Sequence, residues 1–198
     1  MTTEYNFSFT GFSLKVKEMS KIAYKIEQGE EIDYTNELGH GKKTTGQRAF
    51  SEIAKRLNVL TERQKELLIN GDLVSQKQIA LLSVCKCHFF LRDFVVEVLR
   101  EKQLVFDYQL TFGEFASFIR RKSEVHANLE EKSDSSIYKI RKVTFQILEE
   151  SGLIDNNRDK TIQPQILAPE VVNAICQDDP NWLKLFFVSD IDIQKLTD

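Results

Sequence analysis

Turn-forming residues are scarce in this chain, with 8 Gly and 3 Pro in 198 residues. That scarcity, with 14 Phe and long Leu-, Ile-, Lys- and Glu-rich runs, predicts a mainly α protein and excludes a turn-dense sheet protein. Cysteine is limited to Cys85, Cys87 and Cys176, an odd set, and Cys85, Cys87 and His88 fall inside an apolar helical run. A structural zinc site takes four ligands in a spacing absent here, so the thiols are expected to be free and buried in a reducing compartment. The opening Met1 to Tyr5 has neither a basic nor an apolar leader region, and no stretch approaches about 18 uninterrupted apolar residues. The expectation is a cytoplasmic protein without a membrane partner. Walker loops, dinucleotide fingerprints, zinc-hydrolase helices and internal repeats are all missing, and His88 and His126 stand alone, so no enzyme, cofactor or metal is expected. A net charge of −3 argues against indiscriminate coating of nucleic acid; any such contact must come from local patches.

What is present is concentrated between residues 135 and 163. Asp134, Ser135 and Ser136 offer oxygens to the amides of a first helical turn, and Ile137, Ile140, Val143, Thr144, Ile147 and Leu148 recur at helical spacing. Lys139, Arg141 and Lys142 crowd the first half of the wet face, and Glu149 and Glu150 the end. This order opposes the helix macrodipole and suits an anionic ligand. Gly152 fits a left-handed C-cap, and Leu153-Ile154, a polar turn and Ile162 read as a short hairpin with Arg158 and Lys160 at its tip. Upstream, Thr111 and Glu114 make a capping box on a helix carrying Phe112, Phe115, Phe118 and Ile119 and ending in Arg120, Arg121 and Lys122. Helix, helix, hairpin is the order of a winged helix-turn-helix. Solvated basic faces of ordinary amphipathic helices show the same residues singly; three clusters in one unit favour nucleic acid.

The remaining chain reads as helices over 13 to 28, 60 to 69 and 75 to about 102, the last one long or kinked and apolar on several faces. Tyr34 to Gly46 reads as a loop, and Thr44 or Thr45 as the cap of a helix that faces Phe50, Ile53, Ala54 and Leu57 inward and Gln47, Arg48, Lys55 and Arg56 to water. Lys43, Thr45 and Arg48 at its start form a weaker second patch. Arg92 and Arg100 are expected to pair with Asp93, Glu97 and Glu101. Three segments result: a helical bundle over 1–75, a winged unit with its long connecting helix over 76–168, and a helical segment with an acidic tail over 169–198.

With these residues placed, the chain resembles the BrxA family of the bacterial BREX phage-exclusion systems. The resemblance runs from Phe9-Thr10-Gly11-Phe12 through Glu66 to Leu73, the central Phe90-Leu91-Arg92-Asp93-Phe94 to Lys102, Phe112 to Phe115, and Glu150-Ser151-Gly152-Leu153-Ile154, to Leu167-Ala168-Pro169-Glu170. It implies a non-enzymatic, all-helical accessory protein with a NusB-like amino-terminal bundle and a winged helix-turn-helix that binds double-stranded DNA beside other BREX subunits. In that role Ser136, Lys139, Arg141 and Lys142 would face the groove, Arg120, Arg121 and Lys122 hold phosphates, and Arg158 and Lys160 form the wing contact. An adaptor that binds BREX partners without DNA, or a regulator of the defence operon, would use the same fold. Oligomeric state is not legible from these residues.

Overall fold

A computed structural model describes residues 4–197; Met1 to Thr3 of the opening segment and Asp198 of the acidic tail lie outside the described residues. The chain is mainly helical. After an extended leader with a 3₁₀ turn at Ser8–Gly11, Val16–Gln28 (α1) buries Met19, Ile22 and Ala23 and ends at Gly29, whose φ of 67° lets its N–H return to Ile26 O. Tyr34–Gly46 is not a loop throughout, because Asp33 accepts from Asn36 N at 3.2 Å and starts a one-turn helix at Tyr34–Glu37 (α2). The glycines here serve contact. A Cβ on Gly46 would stand 2.1 Å from Tyr34 O, so α2 and the next helix touch through backbone.

That next helix, Lys43–Asn58 (α3), begins at Lys43 without a side-chain cap, which puts Thr44 and Thr45 in its first turn instead of before it. It buries Ile53 and Leu57 as the spacing predicts, and it also buries Glu52 and Arg56. Arg56, expected in water, is 0% exposed, because the leader lies across its face of α3. Thr61 and Gln64 form a capping box for Glu62–Asn70 (α4), and Asp72 caps Leu73–Cys87 (α5).

The helix expected to run from Ser75 to Lys102 breaks once, at His88 (φ −131°, ψ 87°). Its ring is drawn to Glu52 Oε1 (2.7 Å) and Asn6 O (3.3 Å), contacts no local pattern announces. The chain resumes as Phe89–Phe94 (α6), a π-helical turn at Val95–Arg100 and Glu101–Leu104 (α7). Phe112–Ser123 (α8) starts on the Thr111–Glu114 capping box, Ala127–Glu130 (α9) is a single turn, and Asp134–Ser151 (α10) is capped by Ser133, one residue before the expected cluster. Gly152 closes α10 at φ 81°.

The hairpin beyond it is minimal. Ile154 bridges Ile162, and Gln109 bridges Thr161 from the other side, so residues 108–110 lie antiparallel to the returning arm. Pro169–Cys176 (α11), a 3₁₀ segment at Pro180–Phe186 and Asp190–Thr197 (α12) complete the chain.

One apolar cluster runs from Tyr5 to Ile193. Every residue from Gln78 to Cys85 of α5 is buried, the position expected of a helix apolar on several faces. Phe90, Phe94, Phe115, Phe118 and Phe145 interlock with centroid separations of 5.1 to 6.2 Å, mostly edge to face, and hold α6, α8 and α10 together. Cys85 is buried as expected, whereas Cys87 and Cys176 are half-buried; all three are free.

Candidate functional site

α10 buries Ile140, Val143, Thr144, Phe145, Ile147 and Leu148 against the core, which leaves its opposite face to solvent. On that face the side chains converge on Phe112, the first residue of α8, itself 45% exposed. The Arg141 guanidinium lies 4.6 Å from the Phe112 centroid and 5.3 Å from Tyr138, and Lys160 Nζ approaches Phe112 at 4.7 Å from the hairpin. A helix cation and a hairpin cation thus share one ring, each worth about 0.5–1 kcal/mol at an exposed site. An open cleft of about 740 Å³ lies here, lined by Phe112, Tyr138, Arg141, Lys142, Gln146 and Asn157 among others.

Lys139 and Lys142 are exposed and make no ion pair among the described residues. Ser136 is tied to Ser133 Oγ at 3.0 Å. The carboxylates on the far rim are occupied: Glu149 accepts from Asn157, and Glu150 from Gln146 and the backbone N–H of Leu14. The hairpin tip is fixed by Asp155, whose carboxylate accepts from Asn156 N and Thr161 N (2.6 and 2.8 Å). Desolvation pushes that carboxyl up, but these amide donors outweigh it and hold it below the usual range. Lys160 sits beside it in the left-handed region (φ 56°), and Arg158 is exposed.

The other expected clusters are distributed differently. Arg120 is exposed, but Arg121 pairs with Glu97 (3.0 Å) and Lys122 with Glu97 and Asp93 (2.5 and 3.4 Å), on the π turn and α6. They lie at the opposite end of α8 from Phe112, about 15 Å along its axis at 1.5 Å per residue. Arg92 pairs with Asp93 and Arg100 with Glu101, as expected, while Glu97 is paired by α8 and Arg100 also reaches Asp190 of α12. The second patch is split: Lys43 lines a hollow with Lys25, Asp33 and Glu37, while Thr45 and Arg48 line a separate cleft with Lys15, His40 and Lys55.

Sequence reasoning missed a buried polar cluster. Glu52 accepts from His88, Arg56 and Ser8, and Arg56 also donates to Phe12 O and Ser13 O at 2.8 and 2.7 Å. The i, i+4 spacing of Glu52 and Arg56 was its one local signal. No group of three or more His, Cys, Asp or Glu side chains among the described residues is arranged to hold a metal ion. No helix among them is long and apolar enough to cross a membrane.

The molecule is thus a mainly α protein whose longest helix presents a cationic, aromatic face beside a minimal hairpin. The BrxA family model matches residues 3–179, and the chain belongs to the BrxA family. Similar curated proteins are a BREX protein BrxA from Bacillus cereus, 29% identical over 126 residues (63% of each chain), and one from Escherichia coli, 27% identical over 153 residues (76% of this chain and 72% of that protein). The chain therefore spans less than two thirds of the Bacillus protein in that match. Among solved structures, an uncharacterized protein from Magnetospirillum magneticum shares the fold, with a TM-score of 0.79 at 18% identity over 93% of this chain and 98% of that one.

Proposed function

We propose that the protein is a non-enzymatic accessory component of a BREX phage-defence system that binds double-stranded DNA through a winged helix-turn-helix, in the cytoplasm and beside other BREX subunits. The observation that carries this reading is the convergence of Arg141 from α10 and Lys160 from the hairpin on Phe112, with Lys139 and Lys142 alongside and without an ion pair among the described residues. Helix and hairpin then offer cations to one ligand. A duplex backbone presents phosphates on both sides of a groove, which is the charge pattern such a face fits. The chain order supports it: a helix, residues 108–110, α8, the single turn α9, α10, then two arms bridged to each other and to 108–110.

In this reading α10 enters the groove with Ser136, Lys139, Arg141 and Lys142, and Arg158 and Lys160 form the wing. Arg120 is the member of its cluster free to meet phosphate; Arg121 and Lys122 would have to exchange their partners Glu97 and Asp93. The amino-terminal helices are the NusB-like bundle. An adaptor role remains a second reading, favoured by Val105 and Phe106, 70% and 79% exposed, as a contact for a partner subunit.

A salt titration of a fluorescent duplex tests the reading. If about four to six phosphates are neutralised, log affinity falls against log salt with a slope of about −3.5 to −5.5. No binding at low salt, or binding independent of salt, refutes it.

A further inference from the structure

The split second patch leaves a cleft of about 680 Å³ between the leader and α3. Lys15, His40, Arg48 and Lys55 line it. Apart from a Lys15–Glu18 bridge, none of the three cations Lys15, Arg48 and Lys55 has an acidic partner among the described residues, and the buried carboxylate at the cleft, Glu52, is engaged by His88 and Arg56. Lys15 and His40 both adopt left-handed backbone, with φ of 54° and 47°. Such conformations are disfavoured in residues other than glycine. Thr45, Gln47 and Ser51 add polar groups to the same walls.

The leader links this cleft to the α10 face. Leu14 N donates to Glu150 Oε2 at 2.8 Å; Glu150 lines the α10 cleft, and Lys15, the next residue along, lines this one. One hydrogen bond thus ties a wall residue of the α10 cleft to the leader residue before Lys15, and Glu150 is satisfied within the protein by Leu14 and Gln146.

We propose that the cleft lined by Lys15, His40, Arg48 and Lys55 is a second phosphate-binding site that takes the backbone of the same duplex held at α10, so that the DNA track crosses from the winged unit onto the amino-terminal bundle. The inference rests on the α10 reading and assigns the source of the phosphates to DNA instead of a free phosphate ligand. Lys43, on the other hollow, has no part in it.

The test pairs Arg48→Ala/Lys55→Ala with an equal charge change elsewhere, Arg63→Ala/Lys65→Ala on α4. Anisotropy of a labelled 20-base-pair duplex is followed against salt, with circular dichroism to check folding. The cleft pair is expected to lower affinity about tenfold at low salt and to flatten the salt slope by about two, one per lost phosphate contact, with the α4 pair near wild type. Equal effects from the two pairs, or none from the cleft pair, overturn the proposal. Saturable binding of inorganic tripolyphosphate that the cleft pair abolishes while leaving DNA affinity unchanged also overturns it, in favour of a free ligand. Lys139→Ala/Arg141→Ala/Lys142→Ala in the same assay separates the two readings. If it binds like wild type while the cleft pair loses binding, the α10 reading fails and the cleft stands as a phosphate site of its own.

Discussion

Arg56 is fully buried, with its guanidinium between Glu52 and the carbonyls of Phe12, Ser13 and Leu14. Desolvation lowers its hold on the proton, and the Glu52 charge works against that. Arg56→Ala would strand the Glu52 carboxylate and three carbonyls, so a loss of about 3–5 kcal/mol is expected in urea unfolding. A loss under about 1 kcal/mol would show the network to be dispensable. Burial pushes the Glu52 carboxyl up, but the His88 hydrogen bond, the Arg56 charge and Ser8 outweigh it and hold it down at about 2. Against an ordinary value of 4.5, this depressed group adds stability that is fully present above about pH 4.5 and is lost as pH falls toward 2. Glu52→Gln should therefore be less stable than wild type by roughly 3 kcal/mol at pH 7, with the gap closing between about pH 4.5 and 2. A gap constant across that range contradicts the assignment. Beyond its i, i+4 spacing from Glu52, nothing in the sequence near Arg56 reveals this environment. Helical spacing puts it beside Lys55 on the wet side, and only the leader, some 40 positions earlier in the chain, removes it from water.

At the scale of elements, features set by neighbours in sequence were legible and those set by distant contacts were not. The Thr111–Glu114 box, the Gly29 and Gly152 caps and the apolar stripe of α10 are written within a turn or two of where they act. The break at His88 depends on Asn6 and Glu52, and the contact between α2 and α3 depends on Gly46 meeting Tyr34, so a glycine-rich loop was the natural reading of that segment. The two kinds of glycine predict different penalties. Gly152→Ala meets nothing within 4 Å and costs about 1 kcal/mol for its positive φ, whereas Gly46→Ala must push α2 off α3 and costs at least about 2–3 kcal/mol. Thermal or urea unfolding of the two variants ranks them; the reverse order would mean that the helices do not touch there.

The molecule as a whole carries a net charge of −3, so its cationic faces are a matter of placement. Lys139, Arg141 and Lys142 were legible as a cluster because a single helix carries them. The meeting of Arg141 with Lys160 over Phe112 was not, since it needs the hairpin to fold back on α8. The basic end of α8 looked equivalent in sequence, yet Glu97 and Asp93 largely neutralise it. The central claim is that the α10 face is where DNA binds. The most direct measurement is duplex affinity against salt for Lys139→Ala/Arg141→Ala/Lys142→Ala, beside the control Arg63→Ala/Lys65→Ala/Lys195→Ala. These surface changes should cost about 0.5 kcal/mol of stability each, with up to about 1 more for the lost stacking of Arg141. The account predicts that the first variant loses most duplex binding, with the salt slope shallower by about three, and that the control stays near wild type. Equal losses in the two variants, or undiminished binding by the first, would contradict it.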